Sequence, residues 1–153
     1  MHSEIHVDIH GDIDRVYALA SAVERWPAIL PHYRYVTVIQ ESREAPPRRI
    51  VEMSARRGPL PARWLAVVEP VPAERRILFQ HIGGAARGME VEWRIVQHDG
   101  FVRATISHRL DASPYAIVRS RFGESILGEQ FINPIAGRTL GRIKHLVEAE
   151  AAQ

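Results

Sequence analysis

Six strand-like segments follow one another in the middle of the sequence, with only short turns between them. Proline, glycine and aspartate occupy the breaks, and these residues favour turns. The strongest turn signal is Asp99-Gly100, because a two-residue hairpin turn needs positive φ at both central positions. Consecutive strands joined in this way favour an antiparallel meander. The segments are Tyr35–Ser42, Arg49–Arg57, Ala62–Val71, Arg76–Ile82, Met89–His98 and Phe101–Asp111.

The N-terminal part predicts a seventh strand and a helix. Ile5, Val7 and Ile9 alternate with polar residues, as in a half-buried strand. Asp12 or Asp14 is placed to cap the helix that follows.

A bent aromatic segment comes next. Pro27 and Pro31 exclude a long helix, because each removes a backbone donor and biases the preceding residue toward extended backbone. The apolar residues of the segment are nevertheless spaced as on one face of short helical turns, and they are Trp26, Ile29, Leu30 and Tyr33. We expect this segment to close one end of a cavity.

The period becomes helical from about Pro114 onward. We expect a long C-terminal helix on the apolar face of the sheet, with a kink or break at Asn133-Pro134. Gly137 and Gly141 share one helix face and suggest a close approach to the sheet or to a ligand. The apolar stripes are Ile117, Val118, Phe122, Ile126, Leu127 and Phe131, then Ile135, Leu140, Ile143, Leu146 and Val147.

Composition narrows the class of protein. No apolar run approaches the roughly 20 residues that span a bilayer, so we expect no stable membrane insertion. There are 0 cysteines, the net charge is +2, and the arginines are spread among carboxylates, which argues against thiolate metal sites and nucleic-acid binding. Dispersed histidines and the lack of a phosphate-binding glycine loop predict no metal and no cofactor. We expect one domain over residues 1–153, in the cytoplasm since no signal peptide is evident.

Strand parity points to a cavity on one face of the sheet. Met89 and Trp93 share one face of their strand, Trp64 lies on the more apolar face of its own, and Trp26 can reach them from the short helices. Large aromatic side chains beside small residues often line a slot. Residues 76–82 have apolar side chains on both faces, so their orientation stays open.

His108 is the polar exception on an otherwise apolar strand face. It shares that face with Val102, Ala104, Ile106 and Leu110, so we expect its ring to point into the cavity. One interpretation is a core histidine bonded to a backbone carbonyl. The other is a group that contacts ligand or transfers a proton.

Three motifs in this order of elements resemble the polyketide cyclase/dehydrase branch of the START-like superfamily. They are Glu24-Arg25-Trp26-Pro27, the strand Gly88–Trp93 and the closing helix Arg142–Leu146. The resemblance implies an α+β helix-grip fold. In that fold a curved antiparallel sheet of seven strands wraps around a long C-terminal helix, two short helices follow the first strand, and a hydrophobic cavity lies between.

The resemblance also implies the site residues. The ligand-binding residues would be Trp26, Tyr33, Trp64, Met89, Trp93 and His108, and Tyr33 and His108 are the candidates for proton transfer. The arginine that holds a ketone in the enzymes of that branch is replaced here by Val68. A second polar position on the long helix falls near Thr139.

Two functions follow from the resemblance. The first is aldol cyclisation and dehydration of a poly-ketone, as in aromatase/cyclases. The alternative is non-catalytic binding or transport of a lipid, quinone or isoprenoid. The expected partners are a small hydrophobic or polyketide-like ligand and an acyl carrier protein, with the chain as a monomer or homodimer.

Overall fold

The computed structural model describes residues 1–84, 86–110 and 131–153. The strands are β1 (His2–Ile9), β2 (Tyr33–Ser42), β3 (Arg48–Arg57), β4 (Leu60–Val71), β5 (Arg76–Gly84), β6 (Glu90–His98) and β7 (Phe101–Arg109). The helices are α1 (Ile13–Ser21), α2 (Trp26–Ile29) and α3 (Asn133–Ala151), with 3₁₀ turns at Val23–Arg25 and Pro72–Glu74. The predicted apolar stripe of residues 117–127 lies outside the described residues.

The strands form a seven-stranded antiparallel sheet in the order β1-β7-β6-β5-β4-β3-β2. Six neighbouring strands follow chain order, and β1 adds to the far edge by pairing with β7. Ile5 pairs with Ile106 and Val7 pairs with Ala104, so the apolar faces of the two strands coincide. The predicted meander and the predicted α+β helix-grip architecture are confirmed.

Helix α3 packs against one face of this sheet and contacts β1, β3 and α1. Its buried side chains recur every three or four residues, which gives one apolar stripe along the helix. Lys144 donates a hydrogen bond to the Asp8 carbonyl at 2.6 Å, and Arg15 binds Glu150 at 2.8 Å. The buried residues of α3 are Ile135, Ala136, Thr139, Leu140, Ile143 and Val147.

The turn between β1 and α1 fits closely under α3. Asp12 is the N-cap of α1 and accepts from the Arg15 amide at 3.3 Å, so of the two predicted caps Asp12 is the one used. A Cβ on Gly11 would overlap Val147 Cγ1. Glycine therefore lets the turn approach the helix.

Two local interpretations of the sequence were wrong. A Cβ on Gly137 or Gly141 would meet no described heavy atom within 4 Å, so neither glycine marks a close approach to the described sheet, and an approach to a ligand stays a prediction. Tyr33 is the first residue of β2 rather than part of the helical turns, and a register shift separates it from Tyr35.

Pro134 lies in the first turn of α3, where a missing amide is tolerated, so the described helix begins there.

The structure also decides the orientation of β5. Ile77, Phe79 and His81 are buried, whereas Ile82 and Gln80 on the other face are exposed.

None of the described helices is long and apolar enough to cross a membrane.

Candidate ligand cavity

A cavity of about 100 Å³ lies between the inner face of the sheet and α3. One water molecule needs roughly 10–15 Å³ measured in this way, so the space is larger than a single water site. The sheet, α2 and the start of α3 contribute to its wall. The described lining residues are Trp26, Tyr33, Met53, Ala62, Arg63, Trp64, Phe79, His81, Ala86, Met89, Val91, Trp93, Ile106, His108, Phe131, Ile132, Ile135, Ala136 and Thr139.

The bent segment at Pro27 places the indole of Trp26 in this wall. Proline is compatible with the first turn of α2, where its amide would have no partner within the helix. The Trp26 Nε1–H donates to the Leu19 carbonyl at 3.1 Å, which satisfies the one polar atom of the ring. Its ring centroid lies 5.1 Å from that of Tyr33 and 5.8 Å from that of Trp93. Trp26 is thus a fixed apolar wall.

A second aromatic contact joins β4 and β5. The Trp64 indole stacks on the His81 imidazole, with ring centroids 5.7 Å apart and an interplanar angle of 9°. The pairing of these strands shifts between Leu65 and Ala66, and Gly84 opposite Trp64 has φ 94°. A Cβ on Gly84 would lie 2.8 Å from Trp64 Cα, so glycine permits the close approach.

A polar network fixes the end of the cavity at α3. The Thr139 hydroxyl donates to the Ile135 carbonyl at 2.9 Å, and its oxygen lies 2.8 Å from His32 Nε2. Because Thr139 has only one proton to give, His32 must donate its Nε2–H to this oxygen. Burial lowers the pKa of His32 to about 4, with a smaller effect from the Arg138 guanidinium, while a backbone hydrogen bond at Ile135 acts in the opposite direction. His32 is therefore neutral near pH 7.

Tyr33 lies beside this network. Burial raises the pKa of its hydroxyl well above the ordinary value, and a hydrogen bond with Thr139 acts against that effect. The hydroxyl is therefore protonated across the neutral range and can donate or accept a hydrogen bond.

Two histidines are almost completely buried in the sheet wall. His81 is 9% exposed and His108 is 7% exposed. The Nδ1 atom of each is buried and has no hydrogen-bond partner within residues 1–84, 86–110 and 131–153. Burial lowers the pKa of His108 to about 4. Burial, and then the nearby His108, lower the pKa of His81 to about 3, so both rings are neutral near pH 7.

The structure brings the sequence-predicted residues together in one wall. Trp26, Tyr33, Trp64, Met89, Trp93 and His108 all line the cavity. Sequence reasoning missed His81, His32 and Phe79. His81 could have been found from the sequence only if the buried face of β5 had been known, because apolar residues lie on both faces of that strand.

Val68, which the resemblance places at the position of a ketone-holding arginine, is not in the described wall. Val68 is completely buried and is absent from the described lining. Arg63 contributes to the lining, but its side chain is 72% exposed and its Nε lies 3.9 Å from Glu52. Within the described wall, no guanidinium is buried against the cavity. Thr139, in contrast, does line it.

The described residues contain no group of three or more His, Asp or Glu side chains that could hold a metal ion. The polar atoms that reach the cavity are imidazoles and hydroxyls. This donor set suits hydrogen bonding to a neutral ligand better than binding of a highly charged group.

The antiparallel sheet, the crossing helix and the apolar cavity define a protein with the helix-grip fold. A family model described as "Polyketide cyclase / dehydrase and lipid transport" matches residues 9–133. The chain therefore belongs to this family. A comparison of the sequence with curated proteins finds no match.

Solved structures share the fold over nearly the whole chain. A protein from Thermus thermophilus is 17% identical with a TM-score of 0.79, covering 98% of this chain and 99% of that one. The Zhui aromatase/cyclase from a Streptomyces species is 17% identical with a TM-score of 0.79, covering 99% and 95%. A START superfamily protein from Mycobacterium smegmatis is 15% identical with a TM-score of 0.72, covering 95% and 98%. At these identities the likeness concerns the fold.

Proposed function

We propose that the protein binds a small, largely apolar, polyketide-like ligand in the cavity between the sheet and α3. The observation that carries the proposal is the wall itself, where Trp26, Trp64, Trp93 and Met89 surround a space with few polar groups. Such a wall releases water from apolar surface when a ligand enters, and its polar atoms orient the ligand. Family membership and the aromatase/cyclase likeness support a ligand of this class.

If the protein is catalytic, the cavity would fold a flexible poly-ketone for aldol cyclisation and dehydration. Holding two reacting carbons in contact contributes several kcal/mol in well-oriented systems, on the order of 7–11 at best. His108, neutral and buried, would accept a proton from the acidic α-carbon. The Tyr33 hydroxyl would donate a hydrogen bond to the oxygen that becomes negative, since its raised pKa keeps it protonated.

A second candidate function is non-catalytic carriage of a lipid, quinone or isoprenoid. The observation that favours it is the lack, in the described wall, of a buried guanidinium to polarise a ketone. Val68 stands at the position of that arginine, and Arg63 turns its side chain to solvent. A carrier needs the apolar wall but no acid or base.

The remaining interactions belong to the same proposal. A substrate tethered to an acyl carrier protein would dock with arginines around the cavity, because such carriers are acidic. Arg63 at the cavity wall and Arg87, near the lining residue Ala86, are exposed and available for that contact. We propose that the chain acts in the cytoplasm as a monomer or homodimer.

Native mass spectrometry of protein purified from its own host tests the proposal. We expect a retained small molecule of apolar composition, released when the protein is denatured. His108→Phe then separates the two functions. An enzyme would keep binding the apolar body of the ligand and lose turnover, whereas a carrier would keep binding that apolar body and has no turnover to lose. An unliganded protein that also binds no hydrophobic probe would contradict both candidates.

A further inference from the structure

We propose that His81 and His108 form a subsite that recognises a hydroxyl group on an aromatic ligand. The subsite rests on the proposed function, since it orients a ligand whose apolar body occupies the cavity. It assigns the polar edge of that ligand to the β5–β6–β7 side of the wall, and it names the ligand class as hydroxylated aromatic rings.

His81 and His108 lie on the two strands that flank β6, and both side chains are on the same face of the sheet. The His81 amide donates to the Met89 carbonyl of the segment leading into β6, at 2.8 Å, and His108 pairs with Val91 on the other side of β6. Only one strand therefore separates the two histidines. Both side chains line the same cavity.

Other buried polar groups around the cavity have partners. Trp26 Nε1 donates to Leu19, His32 donates to Thr139, and Thr139 donates to Ile135. Among the described residues, Nδ1 of His81 and Nδ1 of His108 are exceptions. A buried polar atom without a partner costs free energy, so the wall contains two imidazoles whose hydrogen bonding the described residues do not complete.

The lack of a partner also leaves the tautomer of each ring undetermined. A histidine that serves as a fixed donor or acceptor has its second nitrogen bonded to a protein group, which selects one tautomer. No described residue makes that bond to Nδ1 here. Each ring can therefore present either an N–H or a lone pair to the cavity.

A hydroxyl is the ligand group that matches this property. It donates one hydrogen bond and accepts others, so it can pair with an imidazole in either tautomer. A ketone oxygen only accepts. A carboxylate would carry a charge into a wall whose imidazoles are neutral near pH 7, and its desolvation would not be offset. The Trp64 ring stacked on His81 holds that imidazole in its plane and offers an apolar face to the rest of the ligand.

Isothermal titration at pH 7.5 with naphthalene, 2-naphthol and 2-naphthoate tests the subsite. Without a polar partner an apolar cavity prefers naphthalene, because the hydroxyl must give up its water. We expect the wild-type protein to bind 2-naphthol roughly tenfold more tightly than naphthalene, equivalent to about 1.4 kcal/mol, and 2-naphthoate most weakly. His81→Phe and His108→Phe should each reduce the preference for 2-naphthol, and the exposed control His145→Gln should keep it.

The outcomes separate the subsite from the proposed function. If wild-type protein binds none of the three probes, the proposed function fails and the subsite fails with it. If it binds naphthalene at least as tightly as 2-naphthol, the cavity stands and the subsite is wrong. This comparison needs no variant, so a Phe substitution that impairs folding does not affect it. Naphthalene affinity serves as the folding control for the variants.

Discussion

The indole of Trp64 lies nearly parallel to the imidazole of His81, with the ring centroids 5.7 Å apart. A second stack of the same kind joins His98 and Phe101, at 5.0 Å and 11°, in the hairpin between β6 and β7. The first stack lines the cavity, whereas the second is absent from its described lining. Substitutions in the two stacks therefore distinguish an effect on ligand binding from an effect on stability alone.

Trp64→Ala should weaken ligand binding, and Phe101→Ala should not. Both substitutions remove a half-buried ring that stacks on a histidine, so each should lower the free energy of unfolding by about 1–2 kcal/mol. Only the Trp64 variant should lose affinity for naphthalene in calorimetric titration. Equal losses of affinity in the two variants would show that the Trp64 wall does not contact the ligand.

Thr139→Val should destabilise the protein by about 1–3 kcal/mol. The substitution keeps the shape of the side chain but removes the oxygen that accepts from His32 Nε2, so the buried N–H loses that partner. Urea unfolding measures the change. Thr37→Val, on the exposed face of β2, is the matched control and should cost less than about 0.5 kcal/mol. A Thr139 variant as stable as this control would contradict the claim that the hydrogen bond between His32 and Thr139 stabilises the fold.

Stability should fall in acid because the buried histidines are neutral. The pKa is lowered to about 4 for His108 and about 3 for His81, from about 6.5 in the unfolded chain. Protons then bind the unfolded state first. The stabilisation that the two neutral histidines give is complete above about pH 6.5 and is lost as the pH falls toward 4. The free energy of unfolding should decrease over this range by on the order of a few kcal/mol.

Urea unfolding between pH 8 and pH 4 checks this dependence. Carboxylates also contribute to it, so the informative quantity is the difference between wild type and the double variant His81→Phe/His108→Phe. The double variant should show a shallower loss of stability below pH 6.5. His145→Gln, on the exposed side of α3, should follow the wild type. Identical curves for wild type and the double variant would mean that these rings are charged or solvated in the folded state.

Two glycines near α3 should respond to alanine in opposite directions. Gly11→Ala places a methyl group against Val147 and should destabilise the protein by about 1–3 kcal/mol. Gly137→Ala meets no described atom and removes a poor helix former, so it should stabilise the protein by about 0.5–1 kcal/mol. Thermal unfolding of both variants measures the pair. A lower melting temperature for Gly137→Ala would restore the idea of a close approach at that glycine.

Strand faces could be predicted where one face was clearly polar. In β6 and β7 charged or polar residues alternate with Val91, Trp93, Ala104 and Ile106, and the structure buries the apolar set. In β5 the apolar residues Leu78 and Ile82 lie on the outer face, so parity could not decide, and His81 was missed for that reason. A period of two carries no information when both faces are apolar.

Contacts between distant segments could not be predicted. His32 and Thr139 are 107 residues apart and meet because α3 crosses the sheet beside the start of β2. The Trp26 indole was recognised as a cavity wall from its bent segment, but its hydrogen bond to Leu19 depends on how α1 and α2 pack. Such pairs depend on the docking of whole elements, which local residue patterns do not encode.

Tryptophan fluorescence tests the central claim most directly, because all 3 tryptophans of the chain line the cavity. Menadione, a small apolar quinone that quenches indoles, is the titrant, and free tryptophan is the reference for collisional quenching. We predict saturable quenching that ends at one menadione per chain and is displaced by naphthalene. Quenching that rises linearly with menadione and matches free tryptophan would contradict the claim that this cavity binds an apolar ligand.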